Sequence, residues 1–213
     1  MRMKPSITSS TMLEVESRPR PPPERCRPHK WLNEGSTQIF KDALKDGLEL
    51  YISRLAEEKI RNHALSRREE RVEVMGFMLG SVYKDLSGTY TLVRDVATTS
   101  LDATSVSVRF ERDGLEKLFE SMDDSCFNYV IVGWYHSHPG HGCFLSPTDV
   151  ETQAKMFNCP YHSALVIDPV NSEIAAFHLR DGAVEERPFA IYWEEFQNPY
   201  FGETVRERRR KNS

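Results

Sequence analysis

One segment in the second half of the chain constrains its fold most, because it predicts a strand, a tight turn and a helix in direct succession. Residues 129–135 are apolar, β-branched or aromatic, the pattern of a buried strand, and His136 and His138 continue it. Glycines at 140 and 142 let the chain reverse, and the Ser-Pro pair at 146–147 is typical of a helix start. This order of elements favours an α/β fold.

Three side chains of this segment form a candidate metal site. Successive strand residues point to opposite faces of a sheet, so the imidazoles of His136 and His138 emerge on one side while Ser137 points away. Asp149 lies in the first turn of the predicted helix, from where it can lean back toward the strand end. Two nitrogens and one carboxylate oxygen are typical of a catalytic zinc site with an open fourth position. A lone histidine is more often a surface or core residue, but this combination predicts zinc binding.

Other reactive side chains near this segment have simpler interpretations. Ser146 is fully explained as a helix N-cap, and His141 as an exposed loop residue. Cys143 lies in the turn, where we expect a reduced thiol packed against its neighbours rather than a nucleophile. The chain has four cysteines and no C-x-x-C pair, which argues against a disulfide framework and a cysteine-type zinc site.

The spacing His-x-His-Pro-x6-Ser-x-x-Asp, which runs from His136 to Asp149, resembles the signature of the JAMM (MPN+) metalloproteases. The resemblance covers about residues 48–181 and is strongest to the proteasome-lid deubiquitinase and signalosome deneddylase subgroup. The chain carries Phe144 where those enzymes carry tryptophan. We interpret this chain as a compact relative of those enzymes, and an archaeal ubiquitin-like system is one setting in which such a protein is expected.

The resemblance implies a fold, a cofactor and a set of site residues. The fold is the JAMM/MPN (cytidine-deaminase-like) α/β sandwich, with a mixed central β-sheet flanked by helices. One zinc ion per chain would be held by His136, His138 and Asp149, and Glu73 on an earlier strand would be the catalytic base. Ser146 would donate a hydrogen bond to the oxyanion. That role conflicts with an N-cap, because a hydroxyl aimed at a helix amide cannot also aim fully at a substrate.

The resemblance also implies a substrate. The expected activity is a zinc-dependent isopeptidase that removes ubiquitin or a ubiquitin-like modifier after its C-terminal Gly-Gly, that also processes modifier precursors and that is linked to proteasomal degradation. Residues 98–108 match an insertion that pairs with the modifier tail. The alternation in Ser105, Val106, Ser107 and Val108 favours this role over a mobile loop. Two alternatives are a hydrolase of a sulfur-carrier-type protein and a non-catalytic MPN scaffold, and the intact ligand set argues against the scaffold.

Composition divides the chain into three parts. Residues 1–36 contain half of the twelve prolines and few apolar residues, so we expect a disordered or extended arm. Residues 37–189 hold the catalytic domain, and residues 190–213 form a C-terminal extension with a basic tail. Hydrophobic patterns predict an α/β sandwich around a mixed sheet, with strands at 48–52, 73–83, 89–97, 163–167 and 173–179 and helices near 39–44, 53–65 and 113–122.

Charge and hydropathy restrict the class of partner. Residues 1–36 carry seven Lys or Arg and four acidic residues, and residues 204–213 carry five and one, so the net charge of −4 leaves −11 for the body. An acidic body argues against nucleic acid and suits the basic tail of a modifier protein. No apolar run approaches the roughly 20 residues that span a bilayer, and no secretory signal is visible. We expect a cytoplasmic protein whose partners are modifier conjugates and the proteasome or another MPN-domain protein.

Overall fold

Strands account for much of the described chain. The computed structural model describes residues 15–98 and 129–193. Within these residues the elements are, in chain order, β1 (Glu16–Ser17), a single 3-10 turn (Pro23–Arg25), β2 (Cys26–Arg27), α1 (Glu34–Asp46), β3 (Leu50–Ser53), α2 (Arg54–Ser66), β4 (Met75–Asp85), β5 (Gly88–Thr98), β6 (Val130–Ser137), α3 (Pro147–Met156), β7 (Ser163–Asp168), β8 (Glu173–Arg180), β9 (Ala183–Glu186) and β10 (Phe189–Tyr192).

These strands form one mixed sheet in the order β2-β10-β3-β5-β4-β6-β7-β8-β9. The β4–β5 hairpin and its neighbour β6 are antiparallel, whereas β6 and β7 run parallel and are joined through α3. A parallel pair needs such a crossover, and α3 provides it. The predicted α/β sandwich with a mixed central sheet is therefore confirmed.

Helices cover both faces of the sheet. The apolar residues of α2 (Ala56, Ile60 and Ala64) pack in a cluster with Tyr135 and Leu165 from the centre of the sheet. The opposite face carries Trp134 and Phe77, which pack with residues at the end of α3. Because alternate residues of β6 enter these two clusters, the strand is buried on both sides, as its continuous apolar sequence predicted.

The local signals in the sequence agree with the observed element ends. The helix predicted near 53–65 is α2, and Ser53 caps it by accepting a hydrogen bond from the Ala56 N–H at 3.1 Å. The strands expected from the hydrophobic pattern correspond to β3, β4, β5, β7 and β8. The helix predicted at 113–122 and residues 99–108 of the predicted insertion lie outside the described residues.

Gly80 is required by close approach of two strands. The register of β4 against β5 shifts between Leu79 and Gly80, and a Cβ atom at residue 80 would lie 1.9 Å from the carbonyl oxygen of Leu92. Backbone cannot yield to such a contact, so only glycine fits. The close approach is made by backbone, not by side chains.

The N-terminal arm differs from the expectation of disorder over the part that the structure describes. From Val15 onward it is extended and packed on the body: β1 lies parallel to β4, and β2 is antiparallel to β10. Arg20 donates hydrogen bonds to Asp85 and to the carbonyl of Leu48, and His29 contacts Glu57 at 2.9 Å. Pairing with distant strands holds this segment, which has few apolar residues of its own.

The C-terminal boundary also differs from the predicted one. Residue 189 is not the end of the domain, since β10 (Phe189–Tyr192) is buried and lies between β3 and β2 in the sheet.

None of the helices within residues 15–98 and 129–193 has the length and the apolar character that a membrane span requires.

Candidate metal centre

The candidate site lies at one edge of the sheet, where β6 and β7 end and β4 begins. Met75 pairs with His136 in the antiparallel ladder, and Ser137 pairs with Ile167 in the parallel one. Ligands of α/β proteins are commonly bound at such an edge, beyond the carboxyl ends of parallel strands.

Backbone hydrogen bonds fix the end of β6. The Ser137 N–H donates to the Val74 carbonyl, and the Ser137 hydroxyl accepts from the Val74 N–H, both at 2.9 Å. The His138 N–H donates to the carbonyl of Ile167 at 3.0 Å. The two imidazoles therefore project from a strand end that is held on both sides, as the alternation of the strand predicted.

Asp168, at the end of β7, holds the turn that follows. One of its oxygens accepts from the Gly140 N–H at 2.9 Å and the other from the Gly142 N–H at 2.7 Å. It also accepts hydrogen bonds from Val170 and Asn171, and its side chain is fully buried. Burial alone would raise the pKa of this carboxyl, but the backbone N–H groups lower it below its usual range.

Asp149 enters the site from the first turn of α3 through a capping box. The Ser146 hydroxyl accepts a hydrogen bond from the Asp149 N–H at 3.3 Å, and the Asp149 Oδ2 accepts from the Ser146 N–H at 2.8 Å. Helix capping therefore sets the direction of the carboxylate, and Oδ2 faces the two imidazoles.

The three predicted ligand atoms form a nearly equilateral triangle. Nε2 of His136 lies 3.1 Å from Nε2 of His138, and Oδ2 of Asp149 lies 3.5 Å from the first and 3.6 Å from the second. A tetrahedral zinc ion with bonds of roughly 2.0–2.1 Å separates its ligand atoms by about 3.3 Å. Within the described residues this is the cluster able to hold a metal ion, and all three side chains are buried. The donor set and spacing fit zinc.

Electrostatics favour the protonation states that bind a metal. Burial lowers the pKa of His136, and the adjacent Asp149 carboxylate only partly opposes this. Burial alone would raise the pKa of Asp149, but hydrogen bonds from both imidazoles and Ser146 bring it well below its usual range. Metal ligands must be a neutral imidazole and an ionised carboxylate, so the surroundings are suited to both.

Glu73 lies beside the triangle rather than in it. Glu73 comes two residues before Met75, the first residue of β4, which pairs with His136. The Glu73 carboxylate is near enough to His136 to act on its charge, yet it is not one of the three clustered ligands. Its side chain is half-buried. This placement is compatible with a base and not with a fourth ligand.

The remaining predicted residues are placed as follows. Ser146 is the N-cap of α3, and His141 is exposed in the turn. The Cys143 thiol contacts the Val166 carbonyl, and burial raises its pKa to about 12, which confirms a packed thiol and argues against a nucleophile. Phe144 packs its ring on His138 at 4.7 Å between centroids. The predicted substrate-binding residues Ser105, Val106, Ser107 and Val108 lie outside the described residues.

Sequence reasoning did not single out three buried side chains that support the site. Asp168 holds the turn, Trp134 stacks on His136, and Gln153 accepts a hydrogen bond from the indole of Trp134. Two had a signal in the sequence, since Trp134 is two residues before His136 on a strand and Gln153 is four residues after Asp149 on a helix. Asp168 had none, because the two glycines of the turn that it holds are 28 and 26 residues away in sequence.

Comparison with known proteins agrees with the geometry. The sequence model described as "JAB1/Mov34/MPN/PAD-1 ubiquitin protease" matches residues 45–159, which is more than half of the chain. The matched range contains β4, β6 and α3, and with them Glu73, His136, His138, Ser146 and Asp149.

Curated relatives are similar over most of this chain but are longer proteins. Ubiquitin carboxyl-terminal hydrolase RPN11 of Saccharomyces cerevisiae is 37% identical over 69% of this chain and 48% of its own length. COP9 signalosome complex subunit 5 of Yarrowia lipolytica is 34% identical over 80% of this chain and 44% of its own. The chain thus spans less than half the length of either relative.

A solved structure shows the same fold. The solution structure of protein DSY2949 from Desulfitobacterium hafniense superposes with a TM-score of 0.50, covering 72% of this chain and 98% of that one. The sequence identity is 21%, so this likeness concerns the fold alone.

Proposed function

This chain belongs to the JAB1/Mov34/MPN/PAD-1 ubiquitin protease family, and on that basis we propose that it is a zinc-dependent isopeptidase. Its substrate would be a protein that carries ubiquitin or a ubiquitin-like modifier. The enzyme would hydrolyse the isopeptide bond that follows the modifier's C-terminal Gly-Gly. The observation that supports this most strongly is the triangle of His136, His138 and Asp149 with edges of 3.1–3.6 Å. A non-catalytic scaffold would have no use for three buried, converging ligands.

His136, His138 and Asp149 would hold the zinc ion. When bound, zinc would supply a Lewis acid that polarises the scissile carbonyl and acidifies a water molecule. Three protein ligands leave one position open, as in other catalytic sites.

Glu73 would act as the general base. It would accept a proton from the attacking water and return that proton to the departing lysine amine. Its position just before β4, near enough to act on the charge of His136 but outside the ligand cluster, supports this role.

Ser146 would donate a hydrogen bond to the developing oxyanion. In the capping box its oxygen accepts the Asp149 N–H, so the hydroxyl hydrogen is not used by the cap. The two interpretations of Ser146 are therefore compatible, because one uses a lone pair and the other uses the proton.

The substrate and the cellular setting are also part of this proposal. Relatives named as a ubiquitin hydrolase, a 26S proteasome regulatory subunit and a signalosome subunit support a modifier conjugate as substrate, a proteasome or MPN-domain partner and a cytoplasmic location. The proposal also includes the processing of modifier precursors. Binding of the modifier tail is assigned to Ser105, Val106, Ser107 and Val108.

The proposal is tested by offering the purified chain three substrates: lysine-linked diubiquitin, a ubiquitin–peptide fusion and a sulfur-carrier fusion. We expect cleavage of a ubiquitin substrate that stops with a chelator and resumes when zinc is added. Cleavage that ignores the chelator would contradict the metal mechanism. Cleavage of the sulfur-carrier fusion alone would overturn the assigned substrate class.

A pair of variants, each of which replaces one carboxylate by a neutral amide of the same shape, isolates the base. Glu73→Gln should bind zinc as the wild type does and lose turnover. Glu69→Gln is the matched control, since Glu69 lies four residues earlier and its side chain is exposed. Equal activity of both variants would exclude Glu73 as the base.

A further inference from the structure

Helix α3 buries polar side chains where helices usually bury apolar ones. Its two buried residues are Asp149 and Gln153, which are four positions apart and so share one helix face. Asp149 is assigned above to the metal centre. Gln153 is 1% exposed and needs an explanation of its own, because a buried amide is costly unless it is hydrogen-bonded.

Gln153 is fixed on both ends of its amide. Its Oε1 accepts a hydrogen bond from the indole Nε1 of Trp134 at 2.7 Å, and its Nε2 donates to the Phe157 carbonyl at 2.9 Å. The helix that carries Asp149 is thereby hydrogen-bonded to β6, the strand that carries His136 and ends beside His138.

The indole of Trp134 in turn packs against the imidazole of His136. The two rings are stacked, with centroids 4.5 Å apart and planes inclined by 14°. On its other contact the indole is nearly parallel to the ring of Phe157, with centroids 5.8 Å apart. Trp134 has no exposed surface, so the His136 ring meets a support that cannot swing away.

Stacking on Trp134 takes the place of a hydrogen bond at Nδ1 of His136. A histidine that binds a metal through one ring nitrogen usually donates the other N–H to an acceptor, which fixes the ring orientation. The buried Nδ1 of His136 has no hydrogen-bond partner among the described residues. Stacking on Trp134 therefore restrains the ring where a hydrogen bond at Nδ1 does not.

We propose that Trp134 and Gln153 are positioning residues of the metal centre, which act together: the hydrogen bond between them ties the Asp149 helix to the ring that orients His136. This inference rests on the metal site proposed above. Both side chains are buried, so they would act through His136 and Asp149.

The test measures metal binding in a double-mutant cycle of Trp134→Phe and Gln153→Met. The zinc dissociation constant is obtained by competition with a chromophoric chelator, and the visible spectrum of the Co²⁺-loaded protein reports ligand geometry. We expect each single variant to weaken zinc binding about tenfold and to alter the Co²⁺ spectrum. The double variant should bind no more weakly than Trp134→Phe alone, because the hydrogen bond is already lost.

Asn33→Ala is the control for general destabilisation. Asn33 caps α1, outside the candidate site, and its loss should lower stability without changing zinc affinity or the Co²⁺ spectrum. Single variants that bind zinc within twofold of the wild type, or losses that multiply in the double variant, would overturn the inference. If the wild type itself fails to bind zinc, the metal centre is wrong and this inference falls with it.

Discussion

Ser146 and Asp149 exchange hydrogen bonds across the first turn of α3, so the residue that caps the helix also orients a predicted metal ligand. Most of the direction of Asp149 thus comes from local helix chemistry, which can be changed without touching the imidazoles.

Replacement of Ser146 by alanine should therefore have two measurable effects. Loss of the cap should cost about 1 kcal/mol of unfolding free energy, and loss of the oxyanion donor should lower kcat about a hundredfold. Ser53→Ala is the control, because the Ser53 hydroxyl also accepts a backbone N–H at a helix start, that of α2, on the other face of the sheet. Urea unfolding and single-turnover cleavage measure the two effects. An unchanged rate in Ser146→Ala would leave the serine with the cap alone.

Asp168→Asn should loosen the turn between the two ligand-bearing segments. An asparagine keeps one acceptor oxygen and turns an amide group toward backbone N–H donors that now face a carboxylate. We expect a loss of about 3 kcal/mol in unfolding free energy, since buried donors are left without an acceptor. Asp181→Asn, at an exposed turn, should stay within about 0.5 kcal/mol of the wild type. Similar denaturation midpoints for the two variants would refute this account of Asp168.

The stability of the metal-free protein should fall as the pH drops from about 6.5 toward 4, in part because of His162. Burial, helped by the charge of Arg187, lowers the pKa of His162 to about 4. The unfolded chain then binds the proton at a higher pH than the folded one, so the contribution is complete above pH 6.5 and is lost as pH falls.

For His162 this contribution amounts to about 3 kcal/mol at the acid end. His162→Gln should flatten the pH dependence of urea unfolding in chelator, whereas His141→Gln, at an exposed position, should not. Parallel pH profiles for the wild type and His162→Gln would contradict the prediction.

Gly80→Ala should destabilise the central hairpin by about 3 kcal/mol or more, because the new Cβ would collide with the Leu92 carbonyl. Gly35→Ala is its control: the nearest atom to a Cβ there is Asn33 Oδ1 at 3.4 Å, and alanine favours the helix. Thermal unfolding of the two variants distinguishes them. A Gly80→Ala variant as stable as the wild type would show that β4 and β5 can separate.

The sequence predicted the metal centre because every part of it is local. The alternation of β6, the capping signal at Ser146 and the spacing from His136 to Asp149 are properties of 20 consecutive residues, 130–149. The supports of the site were harder to predict. Asp168 and Gln153 are buried polar residues whose partners become neighbours only after strands and helix have packed.

The arm shows the same limit on a larger scale. Residues 15–33 look like solvated chain by composition, yet Cys26 is buried and pairs with Tyr192, and Glu16 pairs with Tyr83. No hydrophobic periodicity in the arm indicates with which later strands it pairs. Its conformation depends on β4 and β10, which other parts of the chain form.

The cover that β2 gives to β10 has a practical consequence for anyone who trims this protein. A fragment starting at residue 37 would keep the proposed active centre but leave a row of backbone amides and carbonyls on β10 unpaired. A second molecule can add a strand to such an unpaired edge strand, so the trimmed enzyme would self-associate or precipitate during purification.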